Sequence, residues 1–132
     1  MNADPSQVPN PQNEPDCRAV VQVLDRIGSK WTVMAVGTLK DGPMRFNAIM
    51  RAIDGVSHRM LTLTLRSLVQ DGLVKRTAYA TIPPKVEYEL TEPGRSLIEP
   101  LGLLVTWIKQ NHAGITAART ASADHAHAEQ GS

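Results

Sequence analysis

The chain has 132 residues, of which 42% are hydrophobic, 20% are charged and 4% are aromatic. That length suffices for one domain, and its core must be packed mainly by aliphatic side chains. No apolar run approaches the ~20 residues of a membrane span, and the N-terminus has neither the basic nor the apolar region of a signal peptide, so we expect a cytoplasmic protein. A single cysteine, Cys17, excludes an intramolecular disulfide and a cysteine-rich zinc site.

Positive charge is concentrated in the middle of the chain. The net charge is only +1, but between residues 43 and 85 the acidic residues are limited to Asp54 and Asp71. The basic residues of that stretch are Arg45, Arg51, Arg59, Arg66, Lys75, Arg76 and Lys85. A basic middle within a balanced chain indicates a surface that faces nucleic acid.

Both ends of the chain are predicted to lie outside the folded domain. Residues 1–15 contain four prolines among polar residues and cannot bury enough apolar surface to fold, which predicts a disordered arm. Residues 116–132 are rich in alanine, histidine and small polar residues, which predicts a flexible tail that is either frayed or an irregular extension of the last helix. The domain is therefore expected to span residues 16–115.

Helical periodicity predicts three helices before residue 54. The first is capped by Asp16 and ends at Gly28, and the second is capped by Ser29 and ends at residues 41–43. The third spans about residues 45–53 and is followed by an Asp54-Gly55 turn. The apolar positions are Val20, Val21, Leu24 and Ile27 in the first helix, Trp31, Val33, Met34 and Leu39 in the second, and Phe46, Ile49, Met50 and Ile53 in the third.

The fourth helix has two clearly different faces. Ser57 is its predicted N-cap, and it runs to about residue 71. Leu61, Thr64, Leu65 and Leu68 form one stripe at helical spacing, which predicts a buried face. The opposite face carries side chains that can all donate hydrogen bonds: His58, Arg59, Thr62, Arg66 and Gln70.

A β-hairpin and a last helix complete the predicted fold. The strands cover residues 73–79 and 85–90, joined by a turn at residues 81–84, and Thr91 caps a helix that Pro100 must kink or split. The third and fourth helices form a helix-turn-helix, and the hairpin adds a wing. We therefore predict a mainly α protein with a β-hairpin wing (α+β), a winged helix-turn-helix. The apolar stripe of the last helix predicts a homodimer interface formed by Leu97, Leu101, Leu104, Val105 and Ile108.

The outward face of the fourth helix is the predicted DNA-reading surface. A helix held by its apolar stripe presents its other face to the major groove, and its first turn reaches the base edges. We assign base contacts to His58, Arg59 and Thr62, with Arg66 reaching a base or a phosphate. Ser57 acts either as a cap alone or also as a phosphate contact. The remaining candidates are Arg45 and Asn47 for the phosphate backbone, and Lys75, Arg76 and Lys85 in the hairpin for phosphates or the minor groove.

Four motifs resemble the HxlR-type family of bacterial winged-helix regulators, distant relatives of the MarR type. They are G-x-K-W-T from Gly28, D-G-P-x-R-F from Asp41, S-x-x-M-L-T-x-T-L-R from Ser57 and P-P-x-V-E-Y-x-L-T-x-x-G-R-S-L from Pro83. The resemblance covers residues 17–107. It implies a homodimer formed through the first and last helices, an inverted-repeat DNA operator, and in some members the sensing of oxidants or electrophiles through a cysteine near the start of the first helix.

Cys17 stands at that place and has two interpretations. As a sensor, its thiol would lie at a helix N-terminus, where the helix dipole and the neighbouring Arg18 favour the thiolate, although Asp16 opposes Arg18. As a structural residue, it would be a partly buried small side chain at the dimer interface. We expect a small-molecule or electrophile effector, which acts through Cys17 in the first case and elsewhere on the protein in the second.

Two other functional classes fit the sequence less well. An enzyme would need a recognisable catalytic motif, but the sequence has no nucleophile elbow, no glycine-rich phosphate loop and no paired carboxylates in a recognisable cleft motif, so we expect neither catalytic residues nor a cofactor. His125 and His127 are interpreted as solvated polar residues rather than metal ligands. A protein-interaction winged helix without DNA binding would show an acidic or apolar outward face on the fourth helix, whereas this face is basic.

Overall fold

The computed structural model describes Asn10 and residues 16–130, with side chains as far as residue 126. In chain order the elements are α1 (Cys17–Ile27), α2 (Lys30–Leu39), β1 (Met44–Arg45), α3 (Phe46–Ala52), α4 (His58–Gln70), β2 (Val74–Tyr79), β3 (Lys85–Leu90), α5 (Glu92–Ser96) and α6 (Ile98–Gln130). The chain divides into two compact units, Met1–Arg95 and Ser96–Ser132. The predicted arm, apart from Asn10, lies outside the described residues. Among those residues, no helix is long and apolar enough to cross a membrane.

The wing is a three-stranded antiparallel sheet in the order β1-β3-β2. β2 pairs with β3 along its whole length, and the predicted return strand, residues 85–90, is confirmed. β1 was not predicted: it pairs Met44 with Tyr88 and Arg45 with Glu87. A two-residue strand has no periodicity of its own, and only its partner reveals it. The mainly α winged helix-turn-helix is confirmed, with one strand more than the predicted hairpin.

α4 holds the centre of the core. It buries all four positions predicted for its inner stripe, namely Leu61, Thr64, Leu65 and Leu68. Its partners in the core come from the neighbouring helices, the turn after α3 and the sheet. They are Ala35, Val36, Leu39, Ile49, Ile53, Val56, Val74 and Leu90.

The buried face of α2 differs from its predicted apolar positions. Of those positions only Leu39 is buried, while Trp31 and Val33 are half-buried and Met34 is exposed. The helix instead buries Thr32, Ala35 and Val36 with Leu39. Hydrophobicity alone favoured the larger side chains, but the face that packs against α4 is built from small ones. The Thr32 hydroxyl tolerates burial because it donates a hydrogen bond to the Arg26 carbonyl oxygen at 2.9 Å.

Only one of the first three predicted caps forms its hydrogen bond. Ser57 Oγ accepts the backbone N–H of Met60 at 3.0 Å, which confirms it as the N-cap of α4. Asp16 and Ser29 occupy the N-cap positions of α1 and α2, but neither side chain accepts a hydrogen bond from its helix. These two helices therefore begin where predicted without the predicted stabilisation.

The break in the helical region after the wing lies at Leu97, between α5 and α6, rather than at Pro100. Thr91 caps α5 as predicted, because its hydroxyl accepts the backbone N–H of Gly94 at 3.2 Å. Pro100 lies in the first turn of α6, where the missing backbone N–H removes no helical hydrogen bond. α6 continues to Gln130, so residues 116–130 are helical rather than frayed or irregular.

Candidate nucleic-acid interface

α3, α4 and the turn between them form the predicted helix-turn-helix. Gly55 has a φ of 82°, in the left-handed region that favours glycine, which confirms the Asp54-Gly55 turn. Ile53 and Val56, on either side of this turn, are buried. The core therefore anchors the turn at both ends, and α4 starts from a defined position with its outward face free.

The outward face of α4 combines basic and polar side chains with an exposed leucine. Arg59, Arg66 and Gln70 are exposed and Thr62 is half-buried, as expected for residues that lie opposite the buried stripe. Leu63, which was not predicted as a contact, is 44% exposed. It lies four residues after Arg59 and three before Arg66, so it shares their face. A leucine at this place can contact a thymine methyl group in the major groove.

His58 has a partner within the motif. Its ring centroid lies 4.8 Å from that of Phe46, with the rings tilted by 53°, so this side chain packs the start of α4 against α3. The hydroxyl of Thr62 donates to the His58 carbonyl oxygen at 2.8 Å. The Thr62 methyl group and the acceptor capacity of its hydroxyl are left for an external partner.

The sheet carries basic and acidic side chains on its outer face. Side chains alternate along a strand, and the pairing register sets which ones share a face. The outer face carries Arg45, Lys75, Lys85, Glu87 and Glu89. Arg76 points to the opposite face, which also carries the buried Val74. The hairpin cations predicted as one group are therefore divided between two faces.

A cleft of about 660 Å³ lies between the start of α3 and β3. Three of its lining residues, Arg45, Asn47 and Lys85, were predicted separately as DNA contacts, and the fold brings them together. Arg51 also lines the cleft and was missed as a contact. It lies four residues after Asn47, so helical spacing within α3 was the signal that could have identified it.

Glu87 lies among the cations of this cleft. Its Oε1 is 2.9 Å from Lys85 Nζ, and its Oε2 accepts a hydrogen bond from the Tyr79 hydroxyl at 3.4 Å. Arg45 is its cross-strand neighbour. The hydrogen bond from Lys85 and the positive charges of Lys85 and Arg45 hold the pKa of Glu87 below its ordinary value. Lys85 and Arg45 thus already interact with a carboxylate before any phosphate approaches.

α1 exposes an apolar surface and the free thiol. Cys17 is its first residue and is exposed. None of the residues of α1 is buried, and Val20, Val23, Leu24 and Ile27 line a shallow groove along it. The apolar positions predicted for this helix therefore do not enter the core of the single chain.

One ion pair joins α1 to the end of α4. Arg26 Nε lies 2.7 Å from Asp71 Oδ2, and its second nitrogen donates to Oδ1 at 3.1 Å. This hydrogen bond to Asp71, with the carboxylate charge, raises the pKa of Arg26. Because two guanidinium nitrogens each contact one carboxylate oxygen, the relative orientation of the two side chains is fixed as well as their separation.

α6 exposes part of the predicted dimer interface. Leu104 and Ile108 are 51% and 43% exposed, and Leu97, Leu101 and Val105 are half-buried. Leu103 and Trp107 are exposed as well.

Among the described side chains, no group of three or more His, Cys, Asp or Glu residues could hold a metal ion.

Residues 26–115, more than half of the chain, match the HxlR-like helix-turn-helix family. The chain belongs to the HxlR family. The predicted resemblance is thereby confirmed, and the HxlR-type chain is a helix-turn-helix transcriptional regulator. Membership of this family also confirms the prediction that it is not an enzyme.

Relatives agree with this assignment over most of their length. An uncharacterized HTH-type transcriptional regulator of Methanothermobacter thermautotrophicus is 46% identical over 91 residues, which cover 69% of this chain and 70% of the relative. The putative transcriptional regulator ytfH from Salmonella typhimurium has a TM-score of 0.70 at 37% identity, covering 76% of this chain and 90% of that one. The redox regulator HypR in its oxidized form has a TM-score of 0.64 at 43% identity, covering 70% and 96%.

Proposed function

We propose that this HxlR-type regulator binds an inverted-repeat operator in double-stranded DNA as a homodimer, with each α4 reading one half-site. The observation that carries the proposal is the division of α4 into a buried apolar stripe and an outward face bearing Arg59 and Arg66. Such a helix fits the major groove, and its first turn reaches base edges. A protein with this role acts in the cytoplasm, where the DNA is.

The contacts divide into two classes. Arg59 and Thr62 read bases, with His58 beside them and Arg66 reaching a base or a phosphate. The cleft that carries Arg45, Asn47 and Lys85 faces the phosphate backbone, which positions the protein without specifying sequence. Lys75 extends these backbone contacts along the outer face of the sheet, whereas Arg76 points to the opposite face and could reach a phosphate or the minor groove only from there. Ser57 contributes as the cap of α4.

The homodimer is supported by the apolar surface that the terminal helices leave exposed. Val20 and Leu24 on α1, and Leu104 and Ile108 on α6, are exposed in the single chain. Large exposed apolar surfaces on a small protein mark interaction sites. A twofold dimer would present its two recognition helices to half-sites about one DNA turn, or ~34 Å, apart.

The test begins with selection of a preferred duplex from a random library, followed by titration of affinity against salt. Wild type should select an inverted repeat and show a steep negative dependence of log affinity on log salt concentration, since phosphate contacts release counterions. Arg59→Ala should weaken binding to the selected duplex by ~1–3 kcal/mol and relax preference at one base pair. Arg119→Ala on α6 removes the same charge from another part of the chain and is the matched control.

A protein-interaction module without DNA binding is the competing function, and the same titration separates the two. Such a module would select no sequence and would show little salt dependence toward duplex DNA. Leu63 is the feature that favours it, but the arginines on either side of that leucine favour a phosphate-bearing partner. Equal effects of Arg59→Ala and Arg119→Ala would contradict base reading by α4.

Regulation by oxidants or electrophiles through Cys17 is a further part of the proposal. It is supported by the exposure of this thiol at the first residue of α1 and by the 43% identity with a redox regulator. An electrophile can add to this single thiol, or diamide can oxidise the Cys17 thiols of two protomers to one intermolecular disulfide and be reduced to the hydrazine. Either change would displace a helix that is proposed to set the distance between the two recognition helices. Diamide should change operator affinity in wild type and not in Cys17→Ser, with the reduced proteins binding alike. Equal responses of both proteins would show that the thiol is structural.

A further inference from the structure

The cleft between α3 and the wing contains a negative charge at the place where phosphate is expected. Glu87 lies on the central strand β3, between Arg45 on β1 and Thr77 on β2. Its Oε1 lies 2.9 Å from Lys85 Nζ, and it lines the same cleft as Arg45, Arg51 and Lys85. The cleft therefore holds three cations and one countercharge rather than a purely basic surface.

Glu87 offsets phosphate binding in two ways. Its carboxylate repels the phosphate directly, and it holds Lys85 Nζ, which must leave it to contact DNA. Both effects act on all DNA sequences alike, because the backbone carries no direct sequence information. The base contacts assigned to Arg59 and Thr62 come from another element, α4, and are not weakened by it.

We infer that Glu87 limits the sequence-independent affinity of the DNA interface: it weakens phosphate binding in the cleft by the same factor for every duplex, so that stable binding requires the base contacts made by α4. The inference rests on the proposed function. A regulator faces a large excess of non-specific sites that offer phosphate contacts alone. A countercharge beside the backbone cations keeps binding to those sites weak.

Glu87→Gln keeps the shape of the side chain and removes its charge. The variant should bind a random-sequence duplex severalfold more tightly than wild type. The slope of log affinity against log salt concentration should become steeper by about 0.9 for each additional phosphate that the protein neutralises. The selected duplex should tighten by the same factor, so the ratio of the two affinities should stay unchanged. Glu89→Gln is the matched control, since Glu89 lies on the same strand and the same face but faces Lys75 rather than the cleft.

A second variant tests whether Lys85 is the side chain that Glu87 restrains. Adding Lys85→Met to Glu87→Gln should remove part of the increase in affinity and return the salt slope toward the wild-type value. Thermal unfolding of each variant checks that the wing stays folded. Equal tightening by Glu87→Gln and Glu89→Gln, or unchanged or weaker binding of Glu87→Gln, would overturn the inference alone. A wild-type protein without salt-dependent duplex binding would overturn both the inference and the proposed function.

Discussion

At the scale of single residues, the Lys85–Glu87 pair can be tested without DNA. Lys85 is the main cause of the lowered pKa of Glu87, through its hydrogen bond and its charge. Lys85→Met should therefore raise the pKa of Glu87, measured by NMR titration of the carboxyl carbon. Lys75→Met removes the same charge opposite Glu89 and should leave the pKa of Glu87 nearly unchanged. A Glu87 pKa that does not move in Lys85→Met would contradict the pair.

The same pair gives the stability a defined pH dependence. The folded-state pKa of Glu87 is lowered from 4.5, so folding favours the ionised carboxylate. Its contribution to stability is complete above the unfolded pKa and is lost as the pH falls through the lowered folded pKa. Because the group lies at the surface, this contribution is small. Glu87→Gln should show a slightly weaker loss of stability in acid than wild type.

Residue-scale predictions from the sequence succeeded where one side chain has one role. Ser57 caps α4 because a serine just before an amphipathic helix can accept a hydrogen bond from a backbone N–H in the first turn of that helix. The sequence could not show that Glu87 lies beside Arg45, because β1 approaches β3 only through the fold. Leu63 was missed since hydrophobicity directs attention to the core, and only the structure shows its exposure.

At the scale of elements, Gly94 holds the junction between the wing and α5. It is buried, and an added Cβ would overlap the carbonyl oxygen of Leu73 just before β2. That same carbonyl accepts the backbone N–H of Thr91 at 3.0 Å, so it has little freedom to move. Gly94→Ala should lower the free energy of unfolding by ~1–3 kcal/mol, measured by denaturant unfolding.

Gly37→Ala is the control for that substitution. Gly37 lies in α2, and apart from its chain neighbours and the backbone of its own helix no atom lies within 4 Å of its added Cβ. Alanine there should raise stability by as much as about 1 kcal/mol, because glycine is the poorer helix former. A Gly94→Ala protein as stable as Gly37→Ala would show that the contact with Leu73 relaxes without cost.

Elements with strong periodicity were predictable, and those defined by contact were not. α4 could be assigned with its buried stripe because both of its faces are visible in the sequence. The inner face of α2 was not, because it is built from small residues that fit against a neighbour. In α6, Pro100 suggested a break, yet its place in the first turn is one that a helix accepts.

At the scale of the whole molecule, the exposed stripe of α6 predicts that the chain dimerises. Leu104 and Ile108 lie four residues apart, so they share one helix face, and both are exposed in the single chain. Burial of two such side chains favours association through the hydrophobic effect. Charges placed there would lose their hydration in a dimer, and this loss costs free energy. The double variant Leu104→Asp/Ile108→Lys should therefore be monomeric by light scattering coupled to size exclusion.

The double variant Thr106→Asp/Gln110→Lys provides the control for the dimer. It introduces the same two charges at the same spacing, but at exposed polar positions on a different face of α6. This protein should remain dimeric and should bind the selected duplex as wild type does. The Leu104→Asp/Ile108→Lys protein should lose affinity for an inverted repeat much more than for a single half-site. In a dimer the second recognition helix binds intramolecularly once the first is bound, which raises the affinity for the repeat, and a monomer loses this gain. A stable dimer in that variant would place the interface on another surface, and α1 would then be the next element to test.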